Sequence, residues 1–136
     1  MTVPAVVFEN VSRRFGKTVA LDGVGFEVAP GSVLGLIGRN GAGKTTALRL
    51  AVGTLWPDEG RIRVLGLDPV TQRIEVATRV ALLSEESALY PWMTIDEIVR
   101  FTAALHSRWD KALAGRLAKE LDLEPAKRIR ELSRGT

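Results

Sequence analysis

GRNGAGKTT, Gly38 to Thr46, is the stretch that decides the fold. It matches G-x-x-x-x-G-K-[ST], a phosphate-binding loop that requires a strand before it and a helix after it. SVLGLIG, ending at Gly38, is a continuous apolar run of the kind that forms a central strand covered on both faces. Ala47 to Val52 reads as the following helix, with Gly53 as its stop. Glycines at 38, 41 and 43 open backbone conformations closed to bulkier residues, so successive N–H groups can turn inward. Those donors and the positive end of the helix favour a polyphosphate. Lys44 is placed to reach the β- and γ-phosphates, and the Thr45 hydroxyl to ligate Mg²⁺. The expected nucleotide contacts are Gly38, Asn40, Gly41, Ala42, Gly43, Lys44, Thr45 and Thr46, with Lys44 also the expected catalytic group.

Outward from this loop the chain is β-rich on one side and helical on the other. Ala5 to Val11 is a short β-rich run. VGFEV places Val24, Phe26 and Val28 on one face and Gly25 and Glu27 on the other, a half-buried strand. Pro30-Gly31 marks a turn. A second alternating run, Arg61 to Val64, follows the turn-like Pro57 to Gly60. Val80 to Leu83 reads as a further core strand. Two helices are then predicted. Thr94 and Glu97 have the spacing of a capping box, ahead of Ile95, Ile98, Val99, Thr102 and Leu105 on one face. Asp110 is a good N-cap for a helix with Leu113, Leu117 and Leu121 on one stripe beside Ala114 and Ala118. The expected organisation is one α/β domain over 1–136. About 1–83 forms a β-subdomain with the phosphate-loop core, and about 84–136 a helical part.

Composition excludes several classes. With 136 residues, 46% apolar and 26% charged, the chain can bury one core and is not disordered. It has no cysteine, hence no disulfide framework, thiolate metal site or cysteine nucleophile. His106 is the one histidine, which excludes a multi-histidine metal site within these residues. The net charge of +3 is spread among acids, the pattern of a solvated surface rather than a nucleic-acid patch, so no nucleic-acid partner is expected. MTVPAVVFEN has neither the basic start nor the apolar run of a signal peptide. No stretch approaches ~18 apolar residues, the length needed to span a bilayer.

A phosphate loop alone does not choose among nucleotide enzymes. The flanks do, and there the sequence resembles the ATP-binding cassette (ABC) family. RRFGKTVALDGVGFEV is similar to that family's opening and GTLWPDEGRIRVLGLDP to the turn and strand after its loop helix. VALLSEESALYPWMTIDEIVRF is similar to its Q-loop region, and ELSRGT to its signature, commonly LSGGQ. Leu132, Ser133 and Gly135 match that signature, while Arg134 and Thr136 depart from it. YPWMTIDE, SRWD and LSRG are similar to bacterial exporter-type cassettes.

The resemblance implies a P-loop NTPase core of ABC type, with an N-terminal antiparallel β-subdomain and a partial helical subdomain. It implies that Phe15, where the family more often has Tyr, stacks on adenine, since stacking needs only a ring face. Glu85 stands at the position of the Q-loop Gln and becomes an expected catalytic and Mg²⁺-binding carboxylate. Gln donates and accepts, whereas ionised Glu only accepts. Ser133 and Gly135 are expected on the γ-phosphate of a nucleotide held by an opposite subunit. ATP and Mg²⁺ are the implied cofactors. Integral membrane transporter subunits and a second ABC domain, in a homo- or heterodimer, are the implied partners. The implied place is cytoplasmic, peripheral on the inner face of the cell membrane. The implied function is ATP binding and, in the full-length protein, hydrolysis driving export. The alternatives are a binding-only fragment and a non-transport ABC protein. In the family an apolar strand ending in Asp-Glu and a switch His follow the signature, so the sequence reads as a cassette cut within that motif. His106 precedes it and is expected to be a surface residue. Without the later strand, Val33 to Ile37 is expected to expose an apolar edge.

Overall fold

The computed structural model describes residues 3–83, 89–106 and 108–132. The chain falls into two compact units, Met1–Leu83 and Ser84–Thr136.

In the first unit, β1 (Val6–Phe15) and β2 (Thr18–Val28) form an antiparallel hairpin closed by Gly16-Lys17, and β3 (Glu59–Val64) pairs with the other edge of β1. The order is β2-β1-β3. Alternation sets the register. Val24, Phe26 and Val28 are half-buried, while Gly25 and Glu27 are exposed. Phe26 lies opposite Phe8, their rings stacked with centroids 4.5 Å apart. The central strand carries one extra residue, around Asn10, relative to both neighbours. Phe8 and Val11 pair with Phe26 and Val24, and Glu9 and Ser12 pair with Arg61 and Glu59. Asn10 takes a positive φ of 52°, a conformation Asn tolerates well, and so forms the bulge. Gly60 packs against the carbonyls of Asn10 and Glu9 with φ 86°, and a Cβ there would overlap both oxygens.

Helix α1 (Lys44–Ala51) turns Ala47 and Leu50 into this sheet, and α2 (Arg73–Ala77) adds Val76. With Phe8, Val11, Leu21, Ile62 and Val64 they make the core, in which Leu50 is 1% exposed.

Two expected strands are absent from this sheet. Val33 to Ile37 makes no ladder with any described residue, and Val33 and Ile37 are each 99% exposed. A continuous apolar run signals a need for cover but supplies no neighbour, and among the described residues no strand pairs with it. The segment is apolar and exposed, as expected of Val33 to Ile37 from the sequence. Val80 to Leu83 is likewise unpaired. Val80 packs against the core, its N–H bonded to Val76 O at 3.0 Å, while Leu82 and Leu83 are exposed.

In the second unit, α3 (Ile95–Leu105) begins with the expected capping box. Thr94 Oγ1 accepts from Glu97 N–H at 3.2 Å, and Glu97 Oε2 accepts from Thr94 N–H at 2.8 Å. Ile95 is buried; Ile98, Val99 and Thr102 are half-buried; Leu105 is exposed. His106 ends the helix and is exposed. Helix α4 (Lys111–Glu120) starts at Asp110, whose carboxylate accepts from Leu113 N–H at 2.8 Å. Its half-buried residues are Ala114 and Ala118, while Leu113, Leu117 and Leu121 are more exposed. Residues 125–130 run beside 91–96, with Ile95 N–H on Lys127 O, Asp96 N–H on Pro125 O and Ile129 N–H on Met93 O.

The Thr94 backbone N–H and then the Thr94 hydroxyl hold Glu97 below its ordinary value near 4.5. A lowered folded value means that the ionised form supports the helix. This support is complete above pH 4.5 and is lost as pH falls below it through the folded value. Amide exchange should therefore show protection of Glu97, Ile98 and Val99 falling in acid in the native chain. In Glu97→Gln, which keeps the hydrogen bond but cannot titrate, that fall should be absent. An identical acid response in both chains would remove the carboxylate from this role.

Candidate nucleotide-binding site

The loop is fixed first by its helix end. Gly43 is the N-cap of α1 in the left-handed region, with φ 84°. Its backbone lies against β2: a Cβ would overlap the Ala20 carbonyl oxygen and stand 2.8 Å from Leu21 Cδ2. Only glycine satisfies both the angle and the space. Gly41 also has a positive φ of 83° but faces open space.

Lys44 turns back over the loop. Its Nζ donates to Gly38 O at 2.6 Å and to Arg39 O at 2.9 Å. Within the loop Ala42 N–H donates to Arg39 O at 3.1 Å, and Ala47 N–H to Gly43 O at 2.9 Å. The N–H groups of Gly41, Gly43, Thr45 and Thr46 have no acceptor among the described residues. The first turn of α1 carries no acid and no side-chain cap. Unpaired donors at a helix start, beside an ammonium, form an anion site.

Asn40 is exposed on the loop, and Thr46 is half-buried. Thr45 is exposed at the helix start, its hydroxyl free of any described partner. One neutral oxygen suits Mg²⁺, which keeps several waters and takes phosphate oxygens rather than an all-protein cage. Among the described residues no three His, Asp or Glu side chains converge as a ready-made metal site. Glu85, Ser133 and Gly135 lie outside the described residues, as do Arg134 and Thr136.

Phe15 ends β1, opposite Thr18, and is 45% exposed. Ala20, which touches Gly43, is two residues along β2 from Thr18, about 7 Å by strand rise. The aromatic ring and the loop therefore share one corner of the sheet.

Two contacts at the end of β1 carry no sign in the sequence. The Arg13 guanidinium carbon lies 4.9 Å from the ring centroid, and Arg13 is paired with Asp58 at 2.6 Å. These partners are 45 residues apart in the chain, beyond any local pattern.

Residues 21–136 match the family model described as ABC transporter. The chain belongs to the ABC transporter family. A solved structure titled as the ATP-binding subunit of an ABC transporter superposes with TM-score 0.83 at 26% identity, covering 96% of this chain and 57% of that one. This chain is 42% identical to the Nod factor export ATP-binding protein I of Paraburkholderia xenovorans, over 71% of its length and 32% of that protein's. It is 36% identical to the daunorubicin resistance ATP-binding protein DrrA3 of Streptomyces coeruleorubidus, over 99% of its length and 44% of that protein's. A probable sulfate/thiosulfate import ATP-binding protein of Chlorella vulgaris is 38% identical over 71% of this chain and 41% of that protein. The chain thus spans roughly a third to less than half of these curated relatives. The α/β fold is that of an ABC ATP-binding subunit, with the antiparallel sheet at its N-terminal side. Among the described residues no helix is long and apolar enough to cross a membrane.

The two loop glycines make separable predictions. Gly41→Ala meets backbone strain alone, about 1–2 kcal/mol. Gly43→Ala adds a collision with β2, for a total of about 2–5 kcal/mol. Urea unfolding of the two variants should order them so. Equal losses would mean that Gly43 is not pressed against Ala20.

Proposed function

We propose that Gly38–Thr46 binds the triphosphate of ATP and that Phe15 carries its adenine. The observation that carries this reading is the loop itself. Unpaired N–H groups, the acid-free start of α1 and the Lys44 ammonium all belong to this one loop and helix start. Lys44 neutralises β- and γ-phosphate charge, and the N–H groups orient the phosphates. Thr45 Oγ1 and the Glu85 carboxylate would hold Mg²⁺, which screens phosphate charge when bound. Binding is the activity proposed for these 136 residues.

In the longer protein we assign hydrolysis in a head-to-tail pair of ABC domains. Ser133 and Gly135 there face the γ-phosphate held by the opposite subunit. The work is passed to integral membrane subunits, which places the protein at the inner face of the membrane. Export is the direction favoured, because relatives named for Nod factor export and daunorubicin resistance stand beside the exporter-like motifs YPWMTIDE and SRWD. A relative named for import has a similar identity.

Titration calorimetry with ATP and Mg²⁺ tests the binding claim. Lys44→Ala should weaken binding about 10–100-fold, the worth of one or more charge-assisted hydrogen bonds. Unchanged affinity would remove the loop from nucleotide binding.

A further inference from the structure

The ring of Phe15 is not free on both faces. Arg13 covers one, with its guanidinium carbon 4.9 Å from the centroid. The Arg13 side chain is only 22% exposed, and its Nε is buried with no hydrogen-bond partner among the described residues. What holds it is Asp58. Oδ1 accepts from Arg13 Nη1 at 2.6 Å, and Oδ2 accepts from Arg14 N–H at 2.7 Å. Asp58 N–H in turn donates to Ser12 O at 2.9 Å. One residue thus ties down both the side chain and the main chain at the end of β1. Its turn cannot slide, because Gly60 is pressed against the Asn10 and Glu9 carbonyls.

A guanidinium is planar and weakly hydrated, so it stacks on an aromatic face at low desolvation cost. Held there by a carboxylate, it fixes the ring and closes that face to any other planar group. We propose that Arg13 and Asp58 are positioning residues: they back Phe15 on one side and leave its opposite face as the platform for the nucleobase. The bound order is then guanidinium, phenyl ring, adenine. Arg13 and Asp58 act through Phe15, and neither needs to touch the nucleotide. Fixing the ring beforehand removes an ordering cost that binding would otherwise carry. This inference rests on the nucleotide-binding reading above.

The test separates base from phosphate. Affinities of the 136-residue chain for ATP and for inorganic tripolyphosphate are measured by calorimetry in native, Phe15→Leu, Asp58→Asn, Arg13→Met and Arg13→Lys proteins. Asp58→Asn and Arg13→Met should weaken ATP about three- to tenfold and leave tripolyphosphate within about twofold. Arg13→Lys keeps a cation able to pair with Asp58 but not the flat fork, and should weaken ATP about threefold with tripolyphosphate unchanged. It carries the test if Asp58→Asn unfolds the hairpin, as judged by circular dichroism. Parallel loss of both ligands would overturn the proposal, since a general structural or charge effect gives that result. Undiminished ATP binding in Arg13→Met would also overturn it. If native protein binds both ligands but Phe15→Leu binds ATP normally, the platform is wrong and the loop reading stands. If native protein binds neither, both readings fail together.

Discussion

The backbone of Gly43 sits so close to the Ala20 carbonyl that no side chain fits between them. The phosphate loop is built on that approach. It decides where α1 begins, and so where the helix presents its unpaired N–H groups. The helix is held in turn by Ala47 and Leu50, both buried against the sheet. Because Ala20 lies near the β1–β2 turn, the same contact brings the loop to the end of the sheet that carries Phe15. One glycine thus couples a helix start, a strand and an aromatic corner.

The sheet contributes a second constraint. Its middle strand is bulged relative to both neighbours at Asn10, and past the bulge Ser12 O accepts from the N–H of Asp58, in the segment before β3. Asp58 reaches the end of β1 because Gly60 permits the close approach. The Arg13–Asp58 pair is partly exposed, and as an isolated ion pair it adds little stability. Its consequence is geometric. It selects one arrangement of the strand end and of the ring that the strand carries.

Legibility in the sequence followed locality. The loop, the VGFEV alternation and the Thr94 capping box each depend on residues within a few positions of one another, and each was readable. The Arg13–Asp58–Phe15 arrangement was not, because it depends on a strand pairing that brings distant residues together. SVLGLIG is a different case. Its apolarity states what the segment needs, and the described residues do not meet that need. The stripe of α4 is similar: the pattern identified Leu113, Leu117 and Leu121 as one face, and those leucines are more exposed than Ala114 and Ala118. Hydrophobic period locates a face; it does not provide the surface that covers it.

The exposed segment before the loop makes Lys44 more than a charge. The helix limb of the loop is locked by Gly43 and the core, while the limb at Gly38 follows a run with no ladder of its own. The two bonds from Lys44 Nζ, to Gly38 O and Arg39 O, draw this second limb back onto the helix start. An ammonium has three donors, and two are spent on the loop. The third remains for an oxygen outside it, so a phosphate can be met without releasing the loop carbonyls. Shape and charge at the anion site therefore come from the same side chain. Arginine, a planar fork that cannot distribute donors in three directions, is no substitute at this position.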